Sequence, residues 1–142
     1  MRAISSAAAA ALISTSIALV PSASQAAVPK LSGIYLIHLV KNCGSGIIGL
    51  ASGTWTFNAV PKTYANSLSF SSGVPPMSIK PNAGSGTYSN TATTVTFGGP
   101  SGAATYHAYY GALSAAGVAT YAEMIAAVGG GECTVQITFS LK

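Results

Sequence analysis

The sequence predicts an all-β fold: one small antiparallel β-sandwich or barrel of about seven to nine short strands, behind an export leader. Three observations carry this. Several short runs alternate apolar residues with Thr, Ser, Asn or Gln, the period of a strand with one buried face. Gly and Pro recur between those runs, as in SSGVPP, PNAGSG and FGGPSG. Charged residues make up only 6% of the chain, so the Glu, Lys and Arg that favour helices are scarce.

The leader comes first. Residues 1–26, MRAISSAAAAALISTSIALVPSASQA, place Arg2 before an Ala/Ile/Leu/Val stretch, then Pro21, then small residues. This is the layout of a secretory signal peptide. Ser24 and Ala26 set small side chains at the two positions that signal peptidase reads, so cleavage is expected after Ala26. The alternative is a membrane anchor. Ala3 to Val20 sits at the short edge for a spanning helix, is diluted by Ser and Thr, and has no charges on its far side. Removing 26 of the 142 residues leaves a mature chain from Ala27 to Lys142, the length of a single domain, 27–142.

The strands follow in order. GIYLIHLV (33–40) is apolar on both faces and is expected to be central or covered on both sides. In GTWTFN, Trp55 and Phe57 point one way while Thr54, Thr56 and Asn58 point the other. Asn66 to Phe70 and Ser85 to Ser89 are further candidates. Asn90 to Ala92 turns the latter into a strand in which Val95 and Phe97 oppose Thr94 and Thr96. Ala103 to Gly111 sets Tyr106, Ala108 and Tyr110 on an apolar face and Thr105, His107 and Tyr109 on the other. Ser114 to Gly117 offers a turn with Gly117 free to take positive φ. Residues 118–128 are ambiguous. Tyr121, Met124, Ile125 and Val128 have helical spacing with Gly129 as a cap, but strand-like neighbours on both sides favour a strand. Val135, Ile137, Phe139 and Leu141 alternate through the last one. The longest loop-like stretch is Ser71 to Ser85. The expected core is Trp55, Phe57, Val95, Phe97, Tyr106, Tyr110, Val135, Ile137 and Phe139.

Cys43 and Cys133 are the only cysteines. In an exported chain an even count points to a disulfide, with two reduced thiols or an intermolecular bond as the alternatives. The bond would tie the end of the first strand to the start of the last. It would close a loop of about 90 residues, for which chain entropy gives roughly 4–5 kcal/mol.

The chemistry is sparse. KNCGSGIIGLASG contains G-x-G-x-x-G at Gly44, Gly46 and Gly49 after an apolar run, as a dinucleotide site does. But that fingerprint needs a helix after the glycines and an acid about 20 residues on. Here Gly53 and a strand follow, and the nearest acid is Glu123. The glycines are read instead as letting the chain bend beside the disulfide, and no cofactor is expected. The chain has no aspartate, and Glu123 and Glu132 are the only carboxylate side chains for glycosidase or triad chemistry. A Ser–His–Glu set is possible in composition but no spacing or G-x-S-x-G supports it. Two cysteines do not make a zinc site, and the spacing of His38 and His107 from them adds nothing. No metal site or catalytic residue is assigned. After cleavage five scattered lysines and two glutamates remain, which excludes the basic surface of a nucleic-acid binder. No transmembrane segment remains either.

His107 and Tyr109 are the candidate ligand-binding residues. They stand on the less apolar face of their strand, where a polar–aromatic strip stacks on sugars or apolar molecules. The bland reading is a strand that uses Tyr for its β-propensity. His38, among Ile34, Leu36 and Val40, is expected to be partly buried and hydrogen-bonded. GTW at Gly53 to Trp55 resembles the G-x-W near the first strand of lipocalin- and avidin-like barrels. The resemblance covers three residues, and no binding residue is carried over from it.

Together these readings describe a secreted or periplasmic bacterial protein. The Ala-rich leader and low charge suggest a Gram-negative source. The first functional expectation is a non-enzymatic envelope or secreted protein of structural or interaction type, meeting a macromolecule. The second is a small barrel that binds an apolar or sugar-like ligand. An enzyme resting on Glu123 or His107 is a distant third. A cavity inside a closed barrel favours the second; a solid sandwich core favours the first.

Overall fold

The computed structural model describes residues 26–71, 84–99 and 102–142. The leader up to residue 25 and most of the Ser71–Ser85 stretch lie outside the described residues. Eight strands follow one another: β1 (Gly33–Cys43), β2 (Gly46–Ala59), β3 (Lys62–Ser71), β4 (Gly84–Asn90), β5 (Thr94–Gly99), β6 (Gly102–Tyr110), β7 (Tyr121–Val128) and β8 (Cys133–Leu141). Each pairs antiparallel with the next, and β8 pairs with β1, so the sheet closes into a barrel. Of the two expected architectures the barrel is found and the sandwich is not.

Strict alternation builds the interior. Tyr35, Ile37 and Leu39 of β1, Trp55 and Phe57 of β2, Val95 and Phe97 of β5, and Val135, Ile137 and Phe139 of β8 all point inward and are buried. Eight of the nine expected core residues are buried, and the ninth, Tyr110, is half-buried and packs on the cluster. Most of the rings meet edge-on or tilted, while Trp55 stacks on Phe57. Trp55 lies 5.0 Å from Phe97, 5.3 Å from Tyr64 and 5.5 Å from Phe139, between centroids. Such pairs add about 0.5–1.5 kcal/mol each beyond area burial. Burial pushes the phenols of Tyr88 and Tyr106 up to about 12.

One expectation about the strands needs correction. β1 is not covered on both sides: Ile34 and Leu36 are 46% and 50% exposed on the outer wall. A closed single-layer barrel has only one dry face, so an apolar run has to spend half its residues on solvent. The bend expected beside the disulfide is present: Gly44 and Ser45 turn, and β2 then runs 14 residues from Gly46 through Gly49 and Gly53. The pairing slips between Lys41 and Asn42, opposite Ile47 to Gly49, so a bulge in the ladder adjoins that turn. Gly53 lies so close to β3 that an added Cβ would collide with the Ser67 carbonyl oxygen. The strand favoured at 118–128 is found as β7, and Gly129 opens a three-residue 3₁₀ turn, Gly129–Gly131, instead of capping a helix.

The strand pairing also brings Cys43 directly opposite Cys133 on the last rung between β1 and β8, with Cα atoms 4.0 Å apart and the sulfurs bonded. The turn at Ser114–Gly117 is as expected: the Gly117 N–H donates to the Ser114 carbonyl at 2.9 Å, and Gly117 has φ 75°.

Candidate functional site

One end of the barrel is plugged. The N-terminal segment crosses it, inserting Leu31, and the β6–β7 connection inserts Ala119; both are fully buried. Tyrosines from the barrel interior hold these segments. Tyr35 Oη–H donates to the Ala119 carbonyl at 2.7 Å and Tyr88 Oη–H to the Leu31 carbonyl at 2.8 Å. Asn90 Nδ2 donates to the Pro29 carbonyl at 2.7 Å, and the Lys30 and Ala119 backbones bond the two segments to each other.

On the outside of this end the same segments form a groove of about 420 Å³. β6 supplies its floor. Because Tyr106 and Ala108 face inward, His107 and Tyr109 must face outward. Their rings meet edge-to-face at 4.7 Å, and Tyr109 is 55% exposed. Ala26, Ala27 and Pro29 form one wall; Ala92 and Thr93 of the β4–β5 turn and Leu113 of the β6–β7 connection complete it. The β4–β5 turn is pinned, since the Thr91 hydroxyl accepts from the Thr93 and Thr94 N–H groups and the Thr93 carbonyl accepts from Ala108 N–H. None of the lining residues carries a carboxylate side chain. The two sequence candidates, His107 and Tyr109, are therefore neighbours in one concavity. The walls were not legible in the sequence. They are small residues from three distant segments, and only barrel closure and the plug bring them together.

The opposite end carries the disulfide. A cleft of about 450 Å³ there is lined by Lys41, Ala103–Tyr106 and Ala126–Gly129. Beside the disulfide a second hollow, about 400 Å³, holds Glu132, Asn42 and Gln136. Trp55 Nε1 and Asn66 Nδ2, at directly paired positions of β2 and β3, are buried and donate to no partner among the described residues.

The ionisable groups divide between these places. His38 is exposed on the outer wall of β1, which corrects the expectation of partial burial: its neighbours Tyr35, Ile37 and Leu39 took the inward phase. Glu132 lies at the disulfide end. Glu123 is the cross-strand partner of Tyr109, and His107 pairs one step further along with Ile125. The Glu123 carboxylate accepts the Gln136 Nε2–H at 2.9 Å on the side away from β6. Among the described residues no group of His, Cys, Asp and Glu is placed to hold a metal ion, and no helix is long and apolar enough to cross a membrane. Compared with known proteins, the chain matches no family model, no curated protein and no solved structure.

Proposed function

We propose that the protein is exported and that it binds a small apolar or sugar-like molecule in the groove of His107 and Tyr109, without catalysing a reaction on it. The observation that carries this reading is the exposed edge-to-face ring pair on the floor of an apolar groove whose walls are already hydrogen-bonded in place. A preformed wall lowers the ordering cost of binding. Among the described residues aromatic rings pack the barrel interior, which supports a site on the wall. Two features support an exported, water-exposed molecule. One is the disulfide. The other is the sense of the wall, apolar inside and rich in Ser and Thr outside, the reverse of a membrane-spanning barrel.

The packed interior also favours the second reading, a structural or interaction protein that meets a macromolecule with its Ser/Thr wall. The two histidines separate the readings. His107 lies in the groove and His38 stands outside it, with β7 and β8 between their strands. Titrating indole or methyl glucoside into the protein should shift the imidazole NMR signals of His107 and leave those of His38 in place. Equal movement of both, or of neither with any member of an apolar and sugar panel, would reject the groove.

A further inference from the structure

The groove and the expected leader cleavage meet at one place. Ala26 and Ala27 both line the groove wall, so the peptide bond between them lies at the groove, and its scission takes Ala26 away and leaves Ala27 at the edge. That is the bond whose scission Ser24 and Ala26 direct. We infer that leader removal completes the binding site: the new α-ammonium group of Ala27 becomes the cation of the groove and selects a ligand with an apolar body and one negative charge, an apolar monocarboxylate. The inference rests on the groove reading above and on cleavage after Ala26.

Three observations bear on it. First, the new terminus is tethered. Pro29 is buried and its carbonyl accepts from Asn90 Nδ2 at 2.7 Å, while the Lys30 N–H donates to the Gly117 carbonyl at 2.9 Å. Two residues span at most about 7 Å, so the ammonium group stays within about that distance of the Pro29 anchor, which lines the same groove. Second, no carboxylate side chain lines the groove to neutralise it, and the nearest acid, Glu123, lies beyond Tyr109 with Gln136 as its partner. Third, the rest of the lining is mostly alanine, proline, leucine and aromatic surface, which suits an apolar body. A free amino terminus has an ordinary pKa near 8, so it carries its charge at neutral pH.

The test uses the exported mature protein and the same protein acetylated selectively at its amino terminus. The probes are 2-naphthoate and its neutral methyl ester, followed by calorimetry at pH 7. The free terminus should bind 2-naphthoate about fivefold more tightly than the acetylated one, and the ester equally with both. Equal binding of 2-naphthoate by both forms, no binding of it at all, or an intact mass that starts elsewhere than Ala27 overturns the inference. Tyr109→Ala checks the groove independently and should weaken both probes about tenfold. If acetylation has no effect but Tyr109→Ala does, the groove reading survives and the inference falls. If Tyr109→Ala changes neither probe, the groove reading itself is rejected.

Discussion

At one end of the barrel Leu31 and Ala119 are shut away from solvent, and Tyr35, Tyr88 and Asn90 donate hydrogen bonds to the segments that carry or flank them. At the disulfide end Phe70, on the inward phase of β3, is 46% exposed, Lys41 is half-buried, and Asn66 Nδ2 has no partner among the described residues where the β3–β4 ladder ends. One end is closed by many weak, directional contacts that two chain segments share. The other is held by one covalent bond across β1 and β8. The difference shows where each kind of cohesion acts. Hydrogen-bonded plugs stabilise the folded state locally, whereas the disulfide acts chiefly by restricting the unfolded chain.

The comparison can be broken most strongly at the disulfide end. Replacing both cysteines, Cys43→Ser with Cys133→Ser, removes the constraint on a sequence separation of 90. It should cost about 4–5 kcal/mol in urea unfolding. A loss under about 1 kcal/mol would mean that the unfolded chain is already compact. At the plugged end Leu31→Ala should cost about 3 kcal/mol. It should also loosen the N-terminal segment, so hydrogen exchange at Lys30 and Ala119 should quicken while exchange across β1 and β8 near the disulfide does not. Uniform quickening would show that the two ends are one cooperative unit. The third effect is absent at neutral pH and grows only in alkali. Tyr88 and Tyr106 have folded values of about 12 against an ordinary 10, because burial disfavours the phenolate. The stability they contribute is fully present below pH 10 and is lost as pH rises toward 12. Stepwise absorbance titration should show these two ionising together with unfolding, above pH 10. Their ionisation near pH 10 in a folded protein would contradict their burial.

Much of this barrel was legible. Trp55, Phe57, Val95, Phe97, Val135, Ile137 and Phe139 alternate with polar residues, and alternation alone states which face is dry. The disulfide was legible because two cysteines allow one intramolecular pair. What periodicity cannot give is neighbours. Nothing in the run around Tyr35 says that it pairs with Leu141, yet that pairing turns a sheet into a barrel and leaves Leu36 in solvent. Tyr121, Met124, Ile125 and Val128 left a helix open beside the favoured strand, because apolar residues on both faces of β7 hide the strand's period. Of the groove, His107 and Tyr109 were legible as an outward aromatic pair. Its walls depend on the plug, which long-range backbone bonds such as Lys30 to Gly117 create.

The position of the disulfide on the last rung has a mechanical consequence. β1 and β8 are antiparallel, so residue 27 and Lys142 leave the barrel at the same end, and the bond lies at the opposite one. Tension on the two ends therefore opens the β1–β8 seam one rung at a time, from Tyr35–Leu141 toward Cys43–Cys133. There it stops. The force then passes through the sulfur–sulfur bond, and residues 44–132, with β2 to β7, bear no tension. Only residues 27–43 and 133–142 can be drawn out. With the bond reduced, residues 44–132 would be extensible too, so the redox state sets how far the molecule can be stretched.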